Sequence, residues 1–118
     1  LGSIAAGAPI EALEDPEAID AESILPPDGE HYALRVRGSS MIEDGIHAGD
    51  LGNVRRTPRA RNGQVVVAVL EDNEATLKRY YAEPDGRIRL QPANAALAPI
   101  YVKHVEVRGV VTSVIRQL

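Results

Sequence analysis

The 118-residue sequence contains no cysteine, no phenylalanine and no tryptophan, and its aromatic side chains are four tyrosines. Without cysteine there is neither a disulfide framework nor a thiolate metal site. Without large aromatics the core must be built from Val, Ile, Leu and Ala, residues that suit closely spaced strands. No apolar run approaches the roughly 20 residues of a membrane span, and the opening LGSIAAGAPI has neither the basic nor the apolar region of a signal peptide. A cytoplasmic protein without membrane contact is expected. Lysine is also scarce: Lys78 and Lys103 stand against eleven arginines.

Net charge is −4 at pH 7, with the acidic residues crowded into the first 30 positions. Phosphate contacts need a basic surface, so nucleic-acid binding by this chain alone is not expected. Arg35, Arg37, Arg55, Arg56, Arg59 and Arg61 form a locally basic stretch that reads as a solvated face.

Residues 1–30 and 31–118 differ in character. The first part is acidic and proline-rich, with a turn signal at Pro26-Pro27-Asp28-Gly29, and reads as an extended arm with at most one short strand. The second part reads as closely spaced strands. Tyr32, Leu34 and Val36 alternate with Ala33, Arg35 and Arg37, the pattern of a half-buried strand. Residues 65–70 are an unbroken apolar run, read as a buried central strand. After a turn at Glu71-Asp72-Asn73-Glu74, residues 75–81 return as the second strand of a hairpin. Residues 87–91 and 105–116 complete the strands, the last bending at Gly109, and residues 40–46 are the one candidate for a short helix. The expected architecture is mainly β, with packed antiparallel sheets or a partly open barrel.

Three segments carry possible chemistry. Gly38-Ser39-Ser40-Met41 joins a strand to a helical turn, where a serine hydroxyl sits beside outward-pointing backbone N–H groups able to stabilise an oxyanion. Locally, a capping role for Ser39 or Ser40 explains the same pattern. Lys78 lies within a strand. An arginine would supply a structural cation equally well but cannot lose its proton. From a reference near 10.4, only about 0.04% of a lysine is neutral at pH 7, so a useful base needs a depression of about 3 units, costing about 4 kcal/mol. The plain alternative is an exposed strand lysine. In Ile4-Ala5-Ala6-Gly7-Ala8-Pro9, small side chains would let an extended backbone approach a nucleophile closely; an unstructured terminus is the simpler reading. His31, His47 and His104 have no metal-ligand spacing, nothing marks one of them for a triad, and no cofactor is indicated.

In this order along the chain, these segments resemble the self-cleaving C-terminal domains of the LexA/CI/UmuD-type family. The resemblance rests on Ala5-Ala6-Gly7, on Leu34-Arg35-Val36-Arg37-Gly38-Ser39-Ser40-Met41, on Asp44-Gly45-Ile46 and Gly49-Asp50, on Arg61-Asn62-Gly63-Gln64-Val65-Val66-Val67-Ala68, on Thr76-Leu77-Lys78-Arg79, on Pro92-Ala93-Asn94, and on the closing Gly109-Val110-Val111-Thr112-Ser113-Val114-Ile115-Arg116. It implies a serine–lysine peptidase with Ser40 as nucleophile and Lys78 as general base. It further implies cleavage of the Ala6-Gly7 bond, backbone N–H groups at Ser39 and Ser40 as the oxyanion site, and no metal. The implied setting is an SOS-response repressor whose cleavage is stimulated by a RecA filament on single-stranded DNA. That protein would dimerise through this domain and bind operator DNA only through an N-terminal winged helix-turn-helix domain that these residues do not include.

Residues 1–30 would then be linker and cleavage arm, and residues 31–118 the peptidase and dimerisation domain. Gly52 and Asn53 depart from the pattern, where apolar strand residues are usual, and suggest a bulge. The rival readings are a UmuD-like polymerase accessory subunit with the same chemistry, a signal-peptidase-like enzyme acting on other chains, and an inert dimerisation module.

Overall fold

The computed structural model describes the backbone of residues 2–5 and 8–12 and the whole of residues 30–71 and 75–118. Ala6, Gly7 and most of the expected turn at 71–74 lie outside the described residues. The described strands are β1 (Gly2–Ala5), β2 (Ala8–Ala12), β3 (His31–Arg37), β4 (Leu51–Arg55), β5 (Val65–Val69), β6 (Ala75–Ala82), β7 (Ile88–Gln91), β8 (Ile100–Val102) and β9 (Glu106–Ile115). They form one sheet in the order β2-β1-β3-β4-β9-β5-β6-β7-β8. Every pairing is antiparallel except that of β1 with β3, which is parallel. Although β1 and β2 stand at one end of this order, both lie against β6. The sheet therefore curls back on itself without closing, as the mainly β, partly open expectation requires.

The core follows from the apolar run in β5. Val67 and Val69 pack with Leu34, Val36, Met41, Ile46, Val54, Ala75 and Leu77, while Val66 and Ala68 pack with Leu90, Val107 and Val110. Successive residues of a strand face opposite ways, so β5 is covered on both sides, which is why its sequence shows no polar alternation. Each fully buried Val or Leu stabilises the fold by roughly 1.5–3 kcal/mol. No helix among the described residues is long and apolar enough to cross a membrane.

Several details differ from the sequence reading. The helix expected over residues 40–46 is a single 3-10 turn, Ile42–Asp44, ended by Gly45 at φ 76° in the left-handed region. The acidic arm supplies two strands, β1 and β2; its small side chains leave little periodicity to read, and backbone pairing makes the strands. The bulge suggested at Gly52-Asn53 exists but falls on the partner strand. Asn53 pairs with Ser113 and Val54 with Val111, so the extra residue is Thr112 of β9, whose hydroxyl donates to the Asn53 carbonyl at 3.3 Å.

A second irregularity bends β9, because Val67 pairs with Gly109 and Ala68 with Val107, leaving Arg108 over. Gly109 of β9 packs closely against Val54 and Arg55 of β4. A Cβ there would lie 2.7 Å from the Arg55 carbonyl oxygen and closer still to the Val54 side chain. The backbone oxygen cannot give way, so Gly109→Ala should destabilise the fold by about 1–3 kcal/mol, read as a lower denaturant midpoint. An unchanged midpoint would contradict this crossing geometry.

Candidate active site

The chain leaves β3, turns through Gly38-Ser39-Ser40 and enters the 3-10 turn. Met41, fully buried in the core, anchors that turn: its carbonyl accepts from Asp44 N–H at 3.1 Å and Ile46 N–H at 3.2 Å. Ser40 is 1% exposed. The 3-10 turn is capped at Met41 with no side-chain hydrogen bond, so Ser40 does not cap it. The Ser40 hydroxyl instead lies 3.0 Å from Lys78 Nζ.

Lys78 is carried by β6, where Ala75, Thr76, Leu77 and Lys78 are all buried. Ala75 and Leu77 turn one way into the core cluster shared with Met41. Thr76 and Lys78 turn the other way, opposite Ala68 and Val66 of β5 respectively, two apolar residues with no exposure. Taken out of water by burial, the Lys78 amine has its pKa pulled from 10.5 down to about 8. Near pH 7 about a tenth of the amines are then neutral, against a few in ten thousand for an ordinary lysine. Lys78 Nζ also donates to Thr76 Oγ1. Thr76 escaped attention as a site residue, although its place two positions before Lys78 on the same strand put both on one face.

Other contacts fix the two segments relative to each other. Arg79, the residue after Lys78, donates from Nε to Asp44 Oδ2 at 2.7 Å and from Nη1 to the Gly63 carbonyl, joining the Lys78 strand to the turn after Ser40. The Asp50 side chain accepts from Arg116 Nε at 2.7 Å, Arg116 Nη2 at 2.8 Å and His47 N–H at 2.8 Å. The Arg116 guanidinium holds that buried carboxyl below its ordinary pKa. Arg116 also reaches the Gly45 carbonyl at 3.0 Å, so the residue just after β9 clamps the loop that follows Ser40. On the other side, Glu43 N–H donates to the Ala93 carbonyl at 2.8 Å and Ala95 N–H to Glu43 Oε2 at 2.6 Å.

The backbone N–H groups of Ser39 and Ser40 donate to no acceptor among the described residues. β1 runs parallel to β3 with Ala5 beside Arg37, three residues before Ser40. His31 pairs with Asn53 at 3.1 Å. Among the described residues no cluster of His, Asp or Glu is arranged to hold a metal.

A curled β sheet that buries a serine hydroxyl against a lysine of lowered pKa has the layout of a serine peptidase that works without histidine. The family model described as Peptidase S24-like matches residues 1–112, and the chain belongs to this family. It is similar to the LexA repressor of Myxococcus xanthus, with 52% identity over 127 residues covering 100% of this chain and 56% of that protein. It is likewise similar to the LexA repressors of Erythrobacter litoralis, 50% identical over 98% of this chain and 50% of that protein, and of Bacillus mycoides, 47% identical over 100% of this chain and 58% of that protein. The resemblance to the LexA-type C-terminal domain is thereby borne out. The chain spans about half the length of the curated relatives it matches.

The lowered pKa has a consequence for stability. Below pH 8 Lys78 is charged in both folded and unfolded states, and the cost of burying the charge, roughly 3 kcal/mol, is present in full. Between pH 8 and 10.5 the unfolded chain binds the proton that the folded one has released, so stability rises with pH. Lys78→Met, which keeps the volume and removes the charge, should therefore be more stable than the parent by about 1–3 kcal/mol at pH 7. That gain should shrink as pH rises through this window, as denaturant melts at pH 7 and pH 10 would show. A variant less stable than the parent at pH 7 would contradict a buried amine with a net desolvation cost.

Proposed function

We propose that this domain cleaves its own Ala6-Gly7 peptide bond, with Ser40 as nucleophile and Lys78 as general base. The observation that carries the reading is the 3.0 Å contact between the Ser40 hydroxyl and a buried amine whose pKa stands at about 8. When the amine is neutral, the direction of that hydrogen bond reverses and the hydroxyl donates to the nitrogen lone pair. Attack of Ser40 Oγ on the Ala6 carbonyl carbon then transfers the hydroxyl proton to Lys78. The tetrahedral oxyanion is held by backbone N–H groups at Ser39 and Ser40. Collapse breaks the Ala6-Gly7 bond, and Lys78 returns its proton to the leaving amine of Gly7. Water, deprotonated by Lys78, attacks the acyl carbon; Lys78 then passes that proton to the departing Ser40 oxygen, which frees the Ala6 carboxylate and restores the hydroxyl.

The pairing of β1 with β3 supports this delivery, because Ala5 stands beside Arg37 and the arm also lies against β6, the strand of Lys78. A tethered substrate makes the step first order, governed by arm docking and by the deprotonated fraction of Lys78.

The relatives are repressors by name, which supports a full protein that represses SOS genes as a cytoplasmic homodimer and binds operator DNA through a domain preceding this one. On that reading a RecA filament on single-stranded DNA favours the docked arm, and cleavage separates the DNA-binding part from the dimerising part.

Intact mass spectrometry should show loss of residues 1–6 at a rate independent of protein concentration. The rate should rise with pH through a midpoint near 8 and level off above it, because the base must lose a proton. Ser40→Ala and Lys78→Ala should each abolish cleavage; either variant cutting at the parental rate would refute the dyad. A RecA filament assembled on single-stranded DNA should raise the rate at pH 7, and an unchanged rate would remove RecA from the proposal.

A further inference from the structure

One polar side chain beside the site takes no part in the proton transfers. Asn94 Nδ2 donates to the Ser39 carbonyl oxygen at 2.9 Å, while its Oδ1 accepts from Ala96 N–H at 2.9 Å. The second bond fixes the orientation of the amide: its oxygen must face Ala96, so its nitrogen faces Ser39. The loop that presents Asn94 is itself tied down, by Glu43 N–H to the Ala93 carbonyl at 2.8 Å and Ala95 N–H to Glu43 Oε2 at 2.6 Å.

The peptide unit that carries the Ser39 carbonyl also carries the Ser40 N–H. In a trans peptide these two groups point in opposite directions within one plane, so holding the oxygen aims the N–H. Acceptance of a hydrogen bond at the oxygen also polarises the unit and strengthens the N–H as a donor. Among the described residues, the only other donor to this oxygen, Ile42 N–H, is long at 3.4 Å.

We propose that Asn94 is a positioning residue that orients the Ser39–Ser40 peptide plane so that the Ser40 N–H is preset to receive the oxyanion. The proposal rests on Ser40 being the nucleophile. Asn94 never touches the substrate and acts only through that peptide.

The test is the pH profile of self-cleavage in the full chain. Asn94→Asp is isosteric but, ionised, offers the Ser39 carbonyl an acceptor instead of a donor. Its plateau rate above pH 8 should fall about ten- to a hundredfold, the scale of a disturbed oxyanion donor. Its midpoint should stay at the parental value, since Lys78 remains buried. Asn94→Gln, which keeps the donor on a longer stem, should recover part of the loss, and it carries the test if the Asp variant does not fold. A parental plateau in both variants would overturn the proposal. So would a fall accompanied by a midpoint moved toward 10.5, since that would mean the turn had come away from Lys78. Ser40→Ala, measured alongside, separates the two claims: cleavage by that variant would sink the dyad itself, whereas inactive Ser40→Ala with fully active Asn94 variants would sink only the role of Asn94.

Discussion

Burial of one amine governs the arrangement of this domain. Lys78 stands on β6 opposite Val66 of β5, and Thr76 stands opposite Ala68; the Lys78 side chain is buried with them. A charge held there is costly, and the protein responds by making the neutral form accessible near physiological pH. The same desolvation that weakens the fold raises the neutral fraction of the amine. Such tension between stability and reactivity is common where a side chain is placed for chemistry.

Because Ser40 and Lys78 lie 38 residues apart in sequence, their separation is set by tertiary contacts. Met41 plugs the core directly after Ser40. The Arg79–Asp44 pair connects the residue after Lys78 to the turn after Ser40, and the Asp50–Arg116 pair brings in the residue just after the last strand from 66 residues away. Surface ion pairs of this kind add little to stability. Asp50, however, is buried and triply bonded, and removing Arg116 would leave its charge unpaired. The curl of the sheet, which lays β1 and β2 against β6, lets the arm and the Lys78 strand share one neighbourhood. β9 has two irregular pairings, with Gly109 packed closely against β4.

Parts of this were legible in the sequence. The run at 65–70 announced a strand buried on both faces, because nothing polar interrupts it, and the alternation from Tyr32 to Arg37 announced β3. Ser40 and Lys78 were not legible from local pattern: a serine before a helical turn reads as a cap, and a strand lysine reads as solvent-facing. They emerged only from the ordered resemblance of several segments to one family. The pattern of residues 40–46 suggests a longer helix than the 3-10 turn because it carries no breaker until Gly45. β8, three residues long, is too short to show any period. Thr76 and Asn94 stood within quoted motifs, yet their partners depend on which strands lie side by side, and single-chain periodicity does not contain that.

The central claim is that Lys78 is a base because its amine is buried, and a titration tests it most directly. With only two lysines in the chain, the side-chain ε-carbons of Lys78 and Lys103 give two NMR signals, separable by a single substitution. Recorded against pH in Ser40→Ala, where no cleavage intervenes, the Lys78 signal should titrate with a midpoint near 8. A midpoint near 10.5, the ordinary lysine value, would mean that the amine is solvated, and the mechanism built on its deprotonation would fall.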